Sequence, residues 1–193
     1  MEIVVFKITG WTHGLLMNNP ESMNMDEQDG KKKLAVKTHL TGQAEAETKV
    51  YKDEKGFLRF PAVAFRSAAV KGATGRKFGK VHASKAAKSF VFNAEQWVTI
   101  IDAKTGKPRK DWEVFTTGVV NPTTGGRTPR SRPLVKNWAC LLPLEIDTEL
   151  LSADNVLELL NQAGKAIGVG DFRPGCPRGI GGPYGRFSAQ LAA

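Results

Sequence analysis

The side chains of this chain best suited to chemistry are its arginines and lysines, and they are unevenly spaced. Residues 59 to 136 hold 16 basic against 4 acidic side chains, whereas 1 to 58 hold 8 and 9, and 137 to 193 hold 4 and 6, so the whole net charge of +9 originates in the middle. Arg66, Lys71, Arg76 and Lys77 open that block, and Arg127, Arg130 and Arg132 close it in the turn-rich run NPTTGGRTPRSRP. A second concentration, Arg173, Arg178 and Arg186 with Tyr184, lies in a late loop holding seven glycines, Gly168, Gly170, Gly175, Gly179, Gly181, Gly182 and Gly185. Segregated positive charge raises the local concentration of anions and is the electrostatic footprint of nucleic-acid binding. Glycine-rich backbone brings amide groups close to a polyanion. Phe65, Phe78, Trp112, Phe172 and Tyr184, interleaved with the charge, are candidate stacking platforms, although an aromatic is individually more often core. Phosphate contacts combined with stacking point to single strands, whose bases are free to stack. A solvated basic face or an acidic protein partner would leave the same composition.

Other chemistries fit less well. His13, His39 and His82 are scattered, with no partner four residues on and no nearby cysteine, so neither a metal nor another cofactor is expected. The run GATGRKFGK (72 to 80) lacks the spacing and the terminal hydroxyl residue of a phosphate loop, and the glycines of 164 to 170 follow a helix where a dinucleotide site would precede one. His13 or His82 as a general acid or base defines the alternative, a metal-independent endoribonuclease, and Asp26, Glu27 and Asp29 could bind a metal or activate a hydroxyl. Cys140 and Cys176 read as reduced thiols. Without a run of roughly 20 apolar residues or a leader-like start, no membrane contact and a cytoplasmic location are expected.

The elements that would position these groups follow from pattern. Glu2 to Thr9 reads as a buried strand. Residues 11 to 33 lack a sustained period and read as an exposed insertion, and alternation over 34 to 40 and 45 to 51 about Gly42 predicts a hairpin, so 11–56 forms an insertion and hairpin region. After a turn at 53 to 56 and a short strand at 57 to 60, Pro61 opens a helix reaching to about residue 75, with Val63, Ala64, Ala68 and Gly72 on its packing face. Residues 90 to 92, 96 to 101, 113 to 120 and 135 to 146 read as strands, the last with a bend or edge at Pro143. Residues 119–135 form a protruding basic hairpin. Ser152 caps a helix running to Ile167, with Asp154 at the positive end of its dipole, and 186 to 192 give a last strand. With the insertions set aside, the order is βαββαβ: an α+β, ferredoxin-like fold in a single domain, 1–193, with one sheet face left open for binding.

Two segments, FLRFPAVAFRSAAVKGA (57 to 73) and IGVGDFRPGCPRGIGGPYGRFSAQL (167 to 191), resemble the RAMP superfamily, whose ferredoxin-like members form backbone and processing subunits of CRISPR ribonucleoproteins. The first is similar to that family's strand, proline-initiated helix and Lys-Gly ending, and the second to its C-terminal glycine-rich loop with a Gly-aromatic-Gly-Arg ending. The hairpin is similar to the thumb by which backbone subunits fold over a guide RNA. The chain is short for a backbone subunit, which leaves room for a relative such as a virus-encoded one. The resemblance implies a non-enzymatic protein that coats single-stranded RNA, or else single-stranded DNA, as a homo-oligomer or filament. A structural assembly protein of a virus is the remaining alternative.

Overall fold

The computed structural model describes residues 1–19, 42–120, 125–176 and 181–192. Arg178, His39, Asp26, Glu27, Asp29 and the strand expected at 34 to 40 lie outside these residues. Along the chain the elements are β1 (Glu2–Gly10), β2 (Leu15–Leu16), α1 (Gln43–Glu47), β3 (Arg59–Pro61), α2 (Ala62–Gly72), β4 (Lys77–Phe78), β5 (Val81–His82), α3 (Ala83–Phe90), β6 (Val91–Asn93), β7 (Trp97–Thr99), β8 (Ile101–Asp102), β9 (Glu113–Val120), β10 (Arg127–Val135), β11 (Trp138–Ile146), α4 (Ala153–Ala166) and β12 (Phe187–Leu191). The architecture is α+β, with antiparallel sheets and four helices among the described residues.

The main sheet has the order β12-β1-β11-β6, each neighbour antiparallel, and β8 pairs with the opposite end of β11. Side chains alternate across it. Phe6, Ile8, Trp138, Cys140, Leu142, Leu144 and Phe187 turn inward and are fully or almost fully buried. Against this face pack α2, through Ala62, Phe65, Ala68 and Ala69, and α4, through Val156, Leu160 and Ala163. Phe65 is the centre of the contact, with its ring 5.5 Å from that of Phe187, 5.9 Å from Phe60 and 6.3 Å from Trp138. Cys140 is sealed in this core as a free thiol, where burial pushes its pKa up.

Several expectations are corrected. The strand beside β11 is β6, with β8 at the other end, while β7 leaves the sheet to pair with β3. Pro143 faces the gap between β6 and β8, where its missing N–H costs no ladder bond, and its carbonyl accepts from Ala94 N. The strand expected over 135 to 146 is two strands, broken where Asn137 adopts φ 50°. The packing face of α2 contains Phe65 and Ala69 in place of Val63, which is 54% exposed. Leu15, Leu16 and Met17, expected in an exposed insertion, are fully buried, because β2 pairs with β10 and continues the core. Residues 45 to 51 form no strand; Gln43–Glu47 is helical instead.

That short helix anchors the hairpin of β9 and β10, which pair from Glu113–Leu134 out to Val120–Arg127. The root of β10 is buried from Ser131 to Val135, and the outer arms are exposed. Glu45, only 5% exposed, accepts from Lys49 Nζ (2.6 Å) and Ser131 N (2.7 Å), with Arg130 at 3.6 Å. Burial pushes the Glu45 carboxyl up, but those donors outweigh it and hold the pKa below the ordinary glutamate range. A folded-state pKa below the unfolded one adds stability that is complete above the unfolded value and is lost as pH falls through the folded one. Glu45→Gln is therefore expected to cost about 1–2 kcal/mol at neutral pH and progressively less below about pH 4, measured by urea unfolding across pH.

Candidate nucleic-acid interface

The sequence places basic groups on α2, on the hairpin and in the late glycine-rich loop, and the fold joins the loop to both others: Arg173 shares a hollow with Lys71 of α2, and Asp171 pairs with Arg132 of β10. The loop leaves α4 at Ile167 and folds back over the connection between β1 and β2. Val169 N donates to Gly185 O (2.9 Å), Gly185 N to Gly14 O (2.8 Å), and Asp171 N to Leu16 O (2.9 Å). Gly170 and Gly185 both have positive φ, 79° and 67°, and a Cβ on either would overlap a carbonyl oxygen, of Leu16 and Val169 respectively. The close approach these two glycines permit is to the protein's own backbone.

The loop is also latched to the hairpin root. Arg132, 9% exposed, donates through Nε to the Asp171 carboxylate and lies over the Phe172 ring at 4.8 Å, with Phe172 itself at φ 48°. Arg186 stacks on Trp11 at 3.9 Å and donates to Lys165 O (3.1 Å). Tyr184 packs against Phe115 (5.1 Å) and edge-on to His13 (6.1 Å).

Over the outer side of α2 these pieces leave a groove made of three adjoining hollows. The central one, about 280 Å³, lies between Tyr51, Phe60, Pro61 and Ala64 on one side and Gly170, Asp171 and Arg173 on the other. It shares Ala64, Gly170 and Arg173 with a smaller one of about 110 Å³ that ends at Ser67 and Lys71. Across Tyr51 and Pro61 it meets a third, about 240 Å³, walled by Val63, Asn93, Glu95, Gln96 and Trp97. Lys71 is exposed in the last turn of α2, and Arg173 is half-buried, donating one N–H to Gly170 O (2.6 Å). One end of the groove is thus cationic, while the other, about 12 Å away along a helix rising 1.5 Å per residue, is aromatic and amide-lined. Amides offer paired donors and acceptors, and Tyr51 and Trp97 offer aromatic surface, the Trp97 ring carrying the Arg59 guanidinium at 4.1 Å on one face, a combination suited to a nucleobase.

The expected site residues separate into two groups. Lys71 and Arg173 line the groove, Lys77 and Arg127 are exposed on β4 and on the outer hairpin, and Arg130 is partly exposed beside Glu45. Arg66 is engaged by Val91 O and Lys88 O and lies 5.1 Å from the Phe92 ring; Arg76 pairs with Glu158 at 2.6 Å. With Arg132 and Arg186, these arginines join elements of the frame. Of the expected platforms, Phe65 is core, Phe78 and Trp112 are half-buried, and Phe172 lies under Arg132. Tyr51, Trp97, Asn93 and Gln96 are additions: in sequence Tyr51 and Trp97 stand in expected strands, and no spacing ties them to Lys71 or Arg173. Neither His13 nor His82 lines the groove. No described helix is long and apolar enough to cross a membrane. Comparison with known proteins finds no family model that matches this chain and no curated protein that matches it.

Proposed function

We propose that the chain binds single-stranded nucleic acid in the groove over α2, RNA in preference to DNA, without catalysing a reaction on it. The observation that carries this reading is the groove's polarity: Lys71 and Arg173 at one end for phosphates, Tyr51 and Trp97 beyond Pro61 for a base. Lys77 and Arg127, exposed on β4 and on the outer hairpin, add to the positive surface. The ferredoxin-like fold is part of the same proposal and is supported by the strand order β12-β1-β11-β6 with α2 and α4 on one face. The preference for RNA, and the expectation that several copies line one strand, rest on the resemblance to the RAMP superfamily.

Fluorescence anisotropy with a labelled homopolymer across a salt series tests this. About four phosphate contacts on a single strand give a slope near −2.8 in log K against log salt. Lys71→Ala with Arg173→Ala is expected to weaken binding about 10- to 100-fold and to flatten the slope by about 1.4, with an unchanged melting curve. Salt-independent binding, or wild-type affinity in the folded double variant, would sink the reading. Incubation of labelled RNA with wild-type, His13→Ala and His82→Ala proteins separates the endoribonuclease alternative, which requires cleavage that a histidine substitution removes.

A further inference from the structure

We propose that a second copy of this chain covers the open face of the main sheet, forming a two-fold, face-to-face dimer. On that face β1 and β11 present Ile3, Val5, Leu141 and Pro143. Ile3 is 63% and Leu141 50% exposed, and a hollow of about 350 Å³, with Glu95 and Thr99 on its far wall, opens beside Val5, Leu141 and Pro143. Contiguous exposed apolar surface on a folded chain marks an interaction site. The face is not built for bases: Phe92, at its edge, is the aromatic side chain it presents, and Arg66 already occupies that ring.

The charges on the face identify the occupant. Lys7 and Glu145 stand at opposite ends of the apolar patch: Lys7 pairs across the ladder with Leu141, Glu145 with Ile3, and the Val5–Pro143 pair lies midway. Neither charge has an ion-pair or side-chain hydrogen-bond partner among the described residues. Consider a two-fold axis lying in the interface, running across the strands over Val5–Pro143. It reverses the strand direction and exchanges the two ends of the patch, so Lys7 of each copy comes down on the Ile3–Glu145 pair of the other, over Ile3 and beside Glu145. The remaining sideways offset is one strand spacing, about 4.8 Å, within reach of a lysine side chain. An isologous contact requires such self-complementarity, which a partner of a single charge sign would not need. The patch from Ile3 to Thr9 across four strands measures about 20 Å by 14 Å, below standard specific interfaces and in the range of weak, transient ones, so dimerisation falls in the micromolar range or weaker.

The pairing uses the sheet face and not the helical side that holds the groove, with Glu95 bordering both this hollow and the groove's third one, and its test uses nuclease-treated protein so that bridging by nucleic acid does not contribute. Sedimentation velocity from about 1 to 200 µM is expected to show a concentration-dependent monomer–dimer equilibrium. Lys7→Glu and Glu145→Lys are each expected to weaken it at least about tenfold, and the double reversal to restore it to within about threefold of wild type. Lys7→Gln and Glu145→Gln, which keep side-chain size, provide the same comparison if a reversal disturbs folding. A wild type that stays monomeric throughout, single reversals without effect, or a double reversal that does not recover the dimer would each overturn the proposal. Loss of the dimer with strand binding retained would leave the groove reading intact.

Discussion

Replacing Phe65 with alanine is expected to destabilise the protein by about 4 kcal/mol, the largest effect of any single substitution considered. The ring has no exposed surface and touches three other aromatic rings, at 5.5, 5.9 and 6.3 Å, that belong to β12, β3 and β11. Its removal costs the transfer of a large apolar side chain and also leaves a cavity where α2 meets the sheet, walled by other rings that do not collapse freely into it. Urea unfolding with an unchanged m-value measures the loss. The same variant separates core from site. If Phe65 were a stacking platform, affinity for a single strand would fall with little change in stability. A core role predicts the reverse at temperatures where the variant stays folded.

Gly185→Ala is expected to cost about 3 kcal/mol. Gly185 has φ 67°, a conformation that costs an L side chain about 1–2 kcal/mol. The new Cβ would also overlap the carbonyl oxygen of Val169, a rigid backbone atom. Relieving that overlap moves the turn away from Val169 and strains two backbone hydrogen bonds, Val169 N to Gly185 O and Gly185 N to Gly14 O, each contributing about 1 kcal/mol. Gly106→Ala is the control: φ is 70°, but nothing lies within 4 Å of the added carbon, so only the conformational cost of about 1 kcal/mol is expected. Equal losses in the two variants would show that the glycine-rich loop does not pack on the β1–β2 connection as described.

The late loop also shows where reading the chain residue by residue stops being sufficient. In sequence its glycines and arginines suggest a surface shaped for a polyanion. In the structure Gly170 and Gly185 fit against Leu16 and Val169, and Arg132 and Arg186 stack on Phe172 and Trp11. Composition is the same in either case. What differs is the distant chain each residue meets, and Asp171 lies 39 positions from the Arg132 it holds. The groove has the same property: Tyr51, the α2 pair Pro61 and Lys71, Trp97 and Arg173 come from four separate stretches of chain, and nothing in the periodicity of any one of them records the other three.

What the sequence determined by itself is the local structure. Content rich in β-branched and aromatic residues set β1, the runs 113 to 120 and 186 to 192 matched β9 and β12 within a residue or so of their ends, and Ser152, Asp154 and Gly168 set α4, because capping, dipole and positive-φ effects act over three or four residues. The break at Asn137, the helix over Gln43–Glu47 and the burial of Leu15 to Met17 were decided by tertiary structure. Each depends on a partner far along the chain: Ala103, whose N–H donates to Asn137 O; Ser131 for Glu45; and β10 for Leu15 and Leu16. Short segments carry too little propensity of their own to outweigh such contacts. The same division holds for charge. The sequence determined how much positive charge the middle of the chain carries, and only the fold decided which cations face solvent and which join one element to another.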